Sequence, residues 1–199
     1  MEETNKKELI IIEQTRIDID NRTIYWHNDL DSKIASAIVY GIIEINRIDD
    51  KNDESVKDYK REPIKFYINS CGGSLDEMWA CANAMLCSKT PVHTYCTGYC
   101  YSAGFKLFLA GSKRFAYQYT RAIYHMIQSW NGRYLDAVKV SNNANKLEAH
   151  QQMVEEYIMS RTKIPQLKFD TIRLSKDEEW EIVGNELLEL GIATDMILC

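Results

Sequence analysis

Twice along this chain a short apolar run ends in a glycine-containing turn that opens directly onto a helical pattern. That repeat restricts the fold more than any other feature. Ile64 to Asn69 reads as a strand, Cys71-Gly72-Gly73 as a tight turn, and Ser74-Leu75-Asp76-Glu77 as a capping box that starts a helix running to about Lys89. Pro91 to Thr97 is a second strand, and Ser102 begins a second helix that Gly111 stops after Ala110. Strand and helix in alternation mean an α/β architecture with right-handed crossovers. If the two strands are neighbours in a parallel sheet, both turns lie at one sheet edge, where α/β proteins place ligands.

The remaining segments fit around this repeat in a single domain over residues 1–199, with residues 1–9 as a flexible N-terminus. Ile10 to Gln14 and Thr23 to Trp26 look extended, and Asp31 caps a helix that carries Ile34, Ile38, Ile42 and Ile45 on one face. Residues 49–61 are nearly all charged or polar and read as a surface loop. Arg114 to Tyr117 and Ala122 to Ile127 are further strands, and Asn185 to Leu190 is a short helix capped by Gly191 before the strand-like Met196-Ile197-Leu198. Between them, residues 134–161 form one long helix with Leu135, Val138, Leu147, Val154, Tyr157 and Ile158 as its apolar residues. Such a helix spans roughly 40 Å, so it should project from the domain and find its partner in another copy of the chain.

The run Gly98-Tyr99-Cys100-Tyr101-Ser102-Ala103-Gly104 sets one serine between glycines where a strand gives way to a helix. A hydroxyl on such a turn is exposed yet rigidly held, and the free N–H groups of the first helical turn lie beside it. His125 follows on the apolar run Ala122-Ile123-Tyr124-His125-Met126, as a base for Ser102. An oxyanion hole needs two converging backbone donors, and the N–H groups of Gly73 and Ala103 are the candidates. Taken singly, a serine at a helix start is a cap and a strand histidine a packed side chain. Together with the two glycine turns they point to acyl transfer.

Composition removes other classes. At 199 residues, 45% of them hydrophobic, the chain can bury a substantial core. Its net charge of -5 argues against a nucleic-acid partner. The six cysteines lack metal-site spacing, and the four histidines, at 27, 93, 125 and 150, are scattered rather than grouped. There is no Gly-x-x-x-x-Gly-Lys-Ser/Thr loop for ATP. No cofactor or metal is therefore expected. The lack of an 18-residue apolar stretch and of a signal-peptide pattern leads to the expectation of a cytoplasmic protein without a membrane partner.

In this order, the segments Tyr67-Ile68-Asn69-Ser70-Cys71-Gly72-Gly73, Gly98 to Gly104, Ile123-Tyr124-His125 and the tail Glu186 to Ile192 resemble the proteolytic subunit of the Clp protease (ClpP) family. The resemblance spans roughly residues 10 to 198. It implies a ClpP/crotonase-type fold of repeated β-β-α units with a protruding handle helix. It also implies a serine endopeptidase that hydrolyses peptides or unfolded proteins inside two stacked seven-membered rings, fed by a ring-shaped ATPase of the Clp class. Ser102 would be the nucleophile, His125 the general base, and Gly73 and Ala103 the oxyanion donors.

The chain also departs from the family pattern. Cys71 stands where the family has proline, and Cys100 and Tyr101 stand where it has alanines. Met126-Ile127 replaces a Gln-Pro, next to the peptide-binding strand near Trp130-Asn131-Gly132. The third catalytic residue should be an aspartate directly after an Asp-Thr-x-Arg segment, but Asp170-Thr171-Ile172-Arg173 is followed by Leu174. Counting back from Gly191 gives Glu179 instead, with Asp177 and Glu178 beside it; a plain solvated acidic loop is the competing reading. Two other functions stay open: a catalytically impaired ring subunit, and a crotonase-type enzyme acting on acyl-thioesters.

Overall fold

The computed structural model describes residues 9–12, 15–129, 136–175 and 179–198. Its first strands, β1 (Leu9–Ile12), β2 (Thr15–Asp18) and β3 (Thr23–Trp26), form an antiparallel edge. From β3 onward the sheet turns parallel through β4 (Ile64–Ser70) and β5 (Val92–Tyr101) to β6 (Lys113–Tyr117). Helix α1 (Ser32–Ser55) connects β3 to β4, α2 (Leu75–Leu86) connects β4 to β5, and α3 (Ala103–Leu109) follows β5. Parallel neighbours need such crossovers; α1 and α2 each bury one face, and α3 is buried along its whole length. The core they share includes Trp26, Phe66, Phe105 and Phe108, all fully buried.

Strand β5 serves two partners. Its first half, His93 to Cys96, pairs with β6, while Tyr99 to Tyr101 pair with β7 (Arg121–His125). Between the halves the register against β4 slips, from Ile68 opposite Cys96 to Ser70 opposite Cys100. Gly98 permits this, because a Cβ there would lie 2.6 Å from the Asn69 carboxamide oxygen, which accepts the Tyr99 N–H at 3.0 Å. The slip splits the sheet and carries β7 out beside the serine turn.

After β7 come the long α4 (Ala137–Arg161), α5 (Gln166–Leu174), β8 (Glu179–Val183), α6 (Glu186–Glu189) and β9 (Asp195–Ile197). Strand β8 pairs antiparallel with β7, and β9 closes the sheet beside β6. Among the described residues nine strands thus form one sheet, and no helix is long and apolar enough to cross a membrane.

Several expectations are corrected. The charged surface loop over 49–61 begins late, because α1 runs on to Ser55. Asp49 continues the buried face of Ile38, Ile42 and Ile45 and is itself fully buried. Burial alone would raise its pKa, but hydrogen bonds from Arg22, Thr90 and Tyr59 outweigh that and hold the carboxyl below its usual range. A run of charges hides this because the partners are far away in sequence. The long helix begins at Ala137, capped by the Asp136 side chain; positions 134 and 135 lie outside the described residues, as do residues 1–8. Its second half is not free either: Val154 and Ile158 are fully buried on the domain, whereas residues 137–146 are exposed throughout. The strand β2 and the helix α5 were not anticipated; β2 has a single apolar residue, Ile17.

Candidate active site

Ser102 stands between β5 and α3 with φ 53° and ψ −117°. A side chain seldom adopts such a backbone, and holding one there costs about 1–3 kcal/mol. Two hydrogen bonds secure the turn: the Ser102 N–H donates to the Ile123 carbonyl at 3.0 Å, and its carbonyl accepts from the Lys106 N–H at 3.2 Å. The hydroxyl makes no capping bond to the helix. The strain leaves Oγ uncommitted at the end of a rigid strand.

The double-glycine turn presses against this serine from the end of β4. A Cβ on Gly72, at φ 113°, would come within 2.8 Å of the Ser102 Cβ and 2.9 Å of the Ala103 nitrogen. Gly73, at φ 136°, has no room for one beside the Leu30 backbone. The turn is tied down by Leu30, whose N–H donates to the Gly72 carbonyl at 2.6 Å and whose carbonyl accepts the Ser74 N–H at 3.0 Å. The buried Ser70 hydroxyl adds another bond, accepting the Gly72 N–H at 3.0 Å. Neither the Gly73 nor the Ala103 N–H donates to another described residue.

Ser102, Ala103, Gly73 and His125 come together on one cavity of about 340 Å³. Ser102 and His125 share it without a direct hydrogen bond between them. His125 ends β7, and its Nδ1 lies 2.7 Å from the Met126 carbonyl oxygen. A carbonyl only accepts, so Nδ1 carries the proton and the Nε2 lone pair is free. Sequence reasoning had no way to find this partner, because any residue supplies a carbonyl.

Glu179 is not part of the cavity wall, but the β7–β8 register sets it directly opposite His125. Facing residues of an antiparallel pair carry their Cβ atoms about 5 Å apart on one side of the sheet. Glu179 is exposed and has no hydrogen bond to His125. Asp177 and Glu178 lie outside the described residues, as does Trp130-Asn131-Gly132. Leu174 ends α5 and is 88% exposed. Cys71 lines the cavity in the place of the family's proline, and its thiol donates to the Asp29 carboxylate at 2.9 Å, which raises its pKa and keeps it protonated.

Behind His125, a polar network that the sequence did not disclose holds the wall of the cavity. Gln151 of α4 accepts the Ile127 N–H at 2.8 Å and donates to the Tyr124 hydroxyl at 2.7 Å and to Glu155 at 2.7 Å. Glu155 is buried and ion-paired at 2.9 Å with Arg173 of α5. Helix α4 therefore reaches the residues on both sides of His125.

A family model described as Clp protease matches residues 7–198 of the chain. Among curated proteins, the chain is 25% identical over 181 residues to an ATP-dependent Clp protease proteolytic subunit 2 from Treponema pallidum, covering 90% of this chain and 83% of the relative. A protein of the same description from Streptomyces avermitilis is 22% identical over 181 residues, with 90% and 84% covered. Among solved structures, a mutant of ClpP1 from Listeria monocytogenes superposes with a TM-score of 0.73 at 21% identity, over 91% of this chain and 94% of the other. At that identity the superposition speaks for the fold.

Proposed function

This chain belongs to the Clp protease family, and is thereby a serine-type peptidase; from that premise we propose that Ser102 is its nucleophile and His125 its general base. Oγ attacks the carbonyl carbon of a peptide bond while its proton passes to Nε2 of His125. The negative charge that develops on the carbonyl oxygen is met by the N–H groups of Gly73 and Ala103, which have no competing acceptor. As the C–N bond breaks, Nε2 returns the proton to the leaving amine. Water then attacks the acyl-serine, giving its proton to Nε2, and Oγ recovers it as the acid departs. Glu179 offsets the imidazolium charge from across the strand pair.

The observation that carries this reading is the strained Ser102 backbone on the wall that also holds Gly73, Ala103 and His125. A serine that merely capped its helix would need neither the strain nor the free hydroxyl. A fluorophosphonate tests it directly: the probe should add to Ser102 alone, seen by mass spectrometry of a peptic digest. Ser102→Ala should abolish both the label and peptide cleavage while leaving the circular dichroism spectrum intact. Unchanged cleavage by that variant would overturn the assignment.

Clp proteases generally work as stacked rings served by Clp ATPases. For this chain we extend that to a pair of seven-membered rings joined through α4 and to unfolded polypeptide delivered by such an ATPase. The exposed first half of α4 favours the stacking. We extend the cytoplasmic setting usual for the family to this chain as well.

A further inference from the structure

Lys106 lies one helical turn beyond Ser102, on the same face of α3. It lines the cavity of Ser102 and His125, yet the residue is only 2% exposed. Among the described residues no carboxylate and no hydrogen-bond acceptor meets its ammonium group. Its ammonium group lies over the Tyr124 ring, 5.9 Å from the ring centre. The other cations of this region are satisfied: Arg173 by Glu148 and Glu155, and Arg114 by the carbonyls of Gly111, Arg161, Gly191 and Ile192. Glu155, the buried anion of this region, is already held by Arg173 and Gln151.

A buried cation without a counter-charge is costly unless the site is completed by a ligand. Burial draws the Lys106 pKa down to about 8, so the ammonium form still predominates at neutral pH. The rest of the wall includes the apolar Leu75 and Ile127 beside the Gly73 turn. A cavity that sets the apolar Leu75 and Ile127 and the polar Ser74 and Gln128 around one unpaired cation, beside the nucleophile, matches a short stem that ends in a carboxylate.

We infer that Lys106 is a specificity-determining residue that selects glutamate or aspartate on the acyl side of the bond Ser102 attacks. The inference rests on the peptidase reading above and adds the substrate class. An acidic side chain in the cavity would form a charge-assisted, largely desolvated pair with Nζ, whereas an aliphatic one would leave the cation unpaired.

Two peptidyl diphenyl phosphonates that differ only in the terminal side chain, glutamate or leucine, test this on the full chain. Each forms an Oγ–P bond at an activated serine and expels phenol, so the labelling rate reports side-chain recognition. The glutamate probe should label Ser102 at least about tenfold faster, and Lys106→Met should reverse the order. Labelling of Lys106→Met by a fluorophosphonate checks that its site is folded. Equal rates for the two probes on the parent protein, or a leucine preference there, would overturn the role of Lys106 while leaving the nucleophile in place. A glutamate preference that survives in Lys106→Met would also overturn it. Failure of Ser102 to react with the fluorophosphonate as well as with both phosphonates would overturn the peptidase reading and the selectivity with it.

Discussion

In the proposed mechanism, the tautomer of His125 decides whether Nε2 can take the Ser102 proton. The Met126 carbonyl, 2.7 Å from Nδ1, fixes the tautomer without any carboxylate. What a neutral carbonyl supplies only weakly is stabilisation of the imidazolium that forms as Oγ attacks. In the mechanism proposed above that task is assigned to Glu179, opposite His125 on β8. On that proposal, two parts of a triad's third member are divided between a backbone atom and a side chain. Glu179→Gln should therefore lower kcat by about ten- to a hundred-fold with KM nearly unchanged, less than the loss of about 10⁴ seen when a wrong tautomer also results. Steady-state kinetics on one peptide, with assembly checked for each variant, measure this. A fall of the larger size would mean that the carboxylate sets the tautomer as well, and no fall would make Glu179 a solvated strand residue without a catalytic part. At this scale the sequence singled out, by residue type, Ser102, His125 and Gly73, which the fold brings to one cavity. It was silent on Met126, whose part is played by an atom every residue has, and Lys106 passed unremarked among the apolar residues of α3.

Between elements, the decisive contacts join segments distant in sequence. The Asp-Thr-x-Arg segment was legible as a motif, but it became α5, and its arginine reaches across to the buried Glu155 of α4 at 2.9 Å. The hydrogen bonds that Arg173 donates to Glu155 and Glu148 raise its pKa further, so the guanidinium keeps its charge. Removing the cation leaves a buried carboxylate without its counter-charge, a change that typically costs 3–5 kcal/mol. Arg173→Met should sit near the lower end, about 3 kcal/mol, because Gln151 still donates to Glu155 and Arg173 is itself 28% exposed. Denaturant unfolding gives the number. Activity should fall too, since Gln151, Tyr124 and Ile127 share that network beside His125; a stable variant with full activity would show that α5 is decoration. The same distance effect explains the error over α1: Asp49 looks like a loop residue until Arg22, Tyr59 and Thr90 surround it. Local periodicity reveals which residues form an element, while charge pairing across the fold decides where it stops.

For the whole molecule, the α/β alternation was readable because glycine turns, caps and apolar runs are local signals, whereas β2 and β8 were not read as strands. The long helix was readable as long, but its division was not. Val140, Leu147 and Val154 recur every seven residues and so fall on one stripe of α4. In the single chain Val140 is 53% exposed and Val154 is fully buried, so one stripe begins free and ends in the core. The proposed ring stacking uses the free part, and the two ends should respond differently to the same change. Val140→Glu combined with Leu147→Glu should halve the mass of the assembly by light scattering and leave the unfolding midpoint of the subunit nearly intact, because the glutamates meet water once the rings separate. Val154→Glu places an unpaired charge inside the domain and should destabilise the subunit itself by several kcal/mol. Loss of stacking without loss of fold in the first variant, and loss of fold in the second, is the pattern a handle requires. An unchanged mass for the double variant would remove α4 from the ring interface and leave its exposed half without a partner.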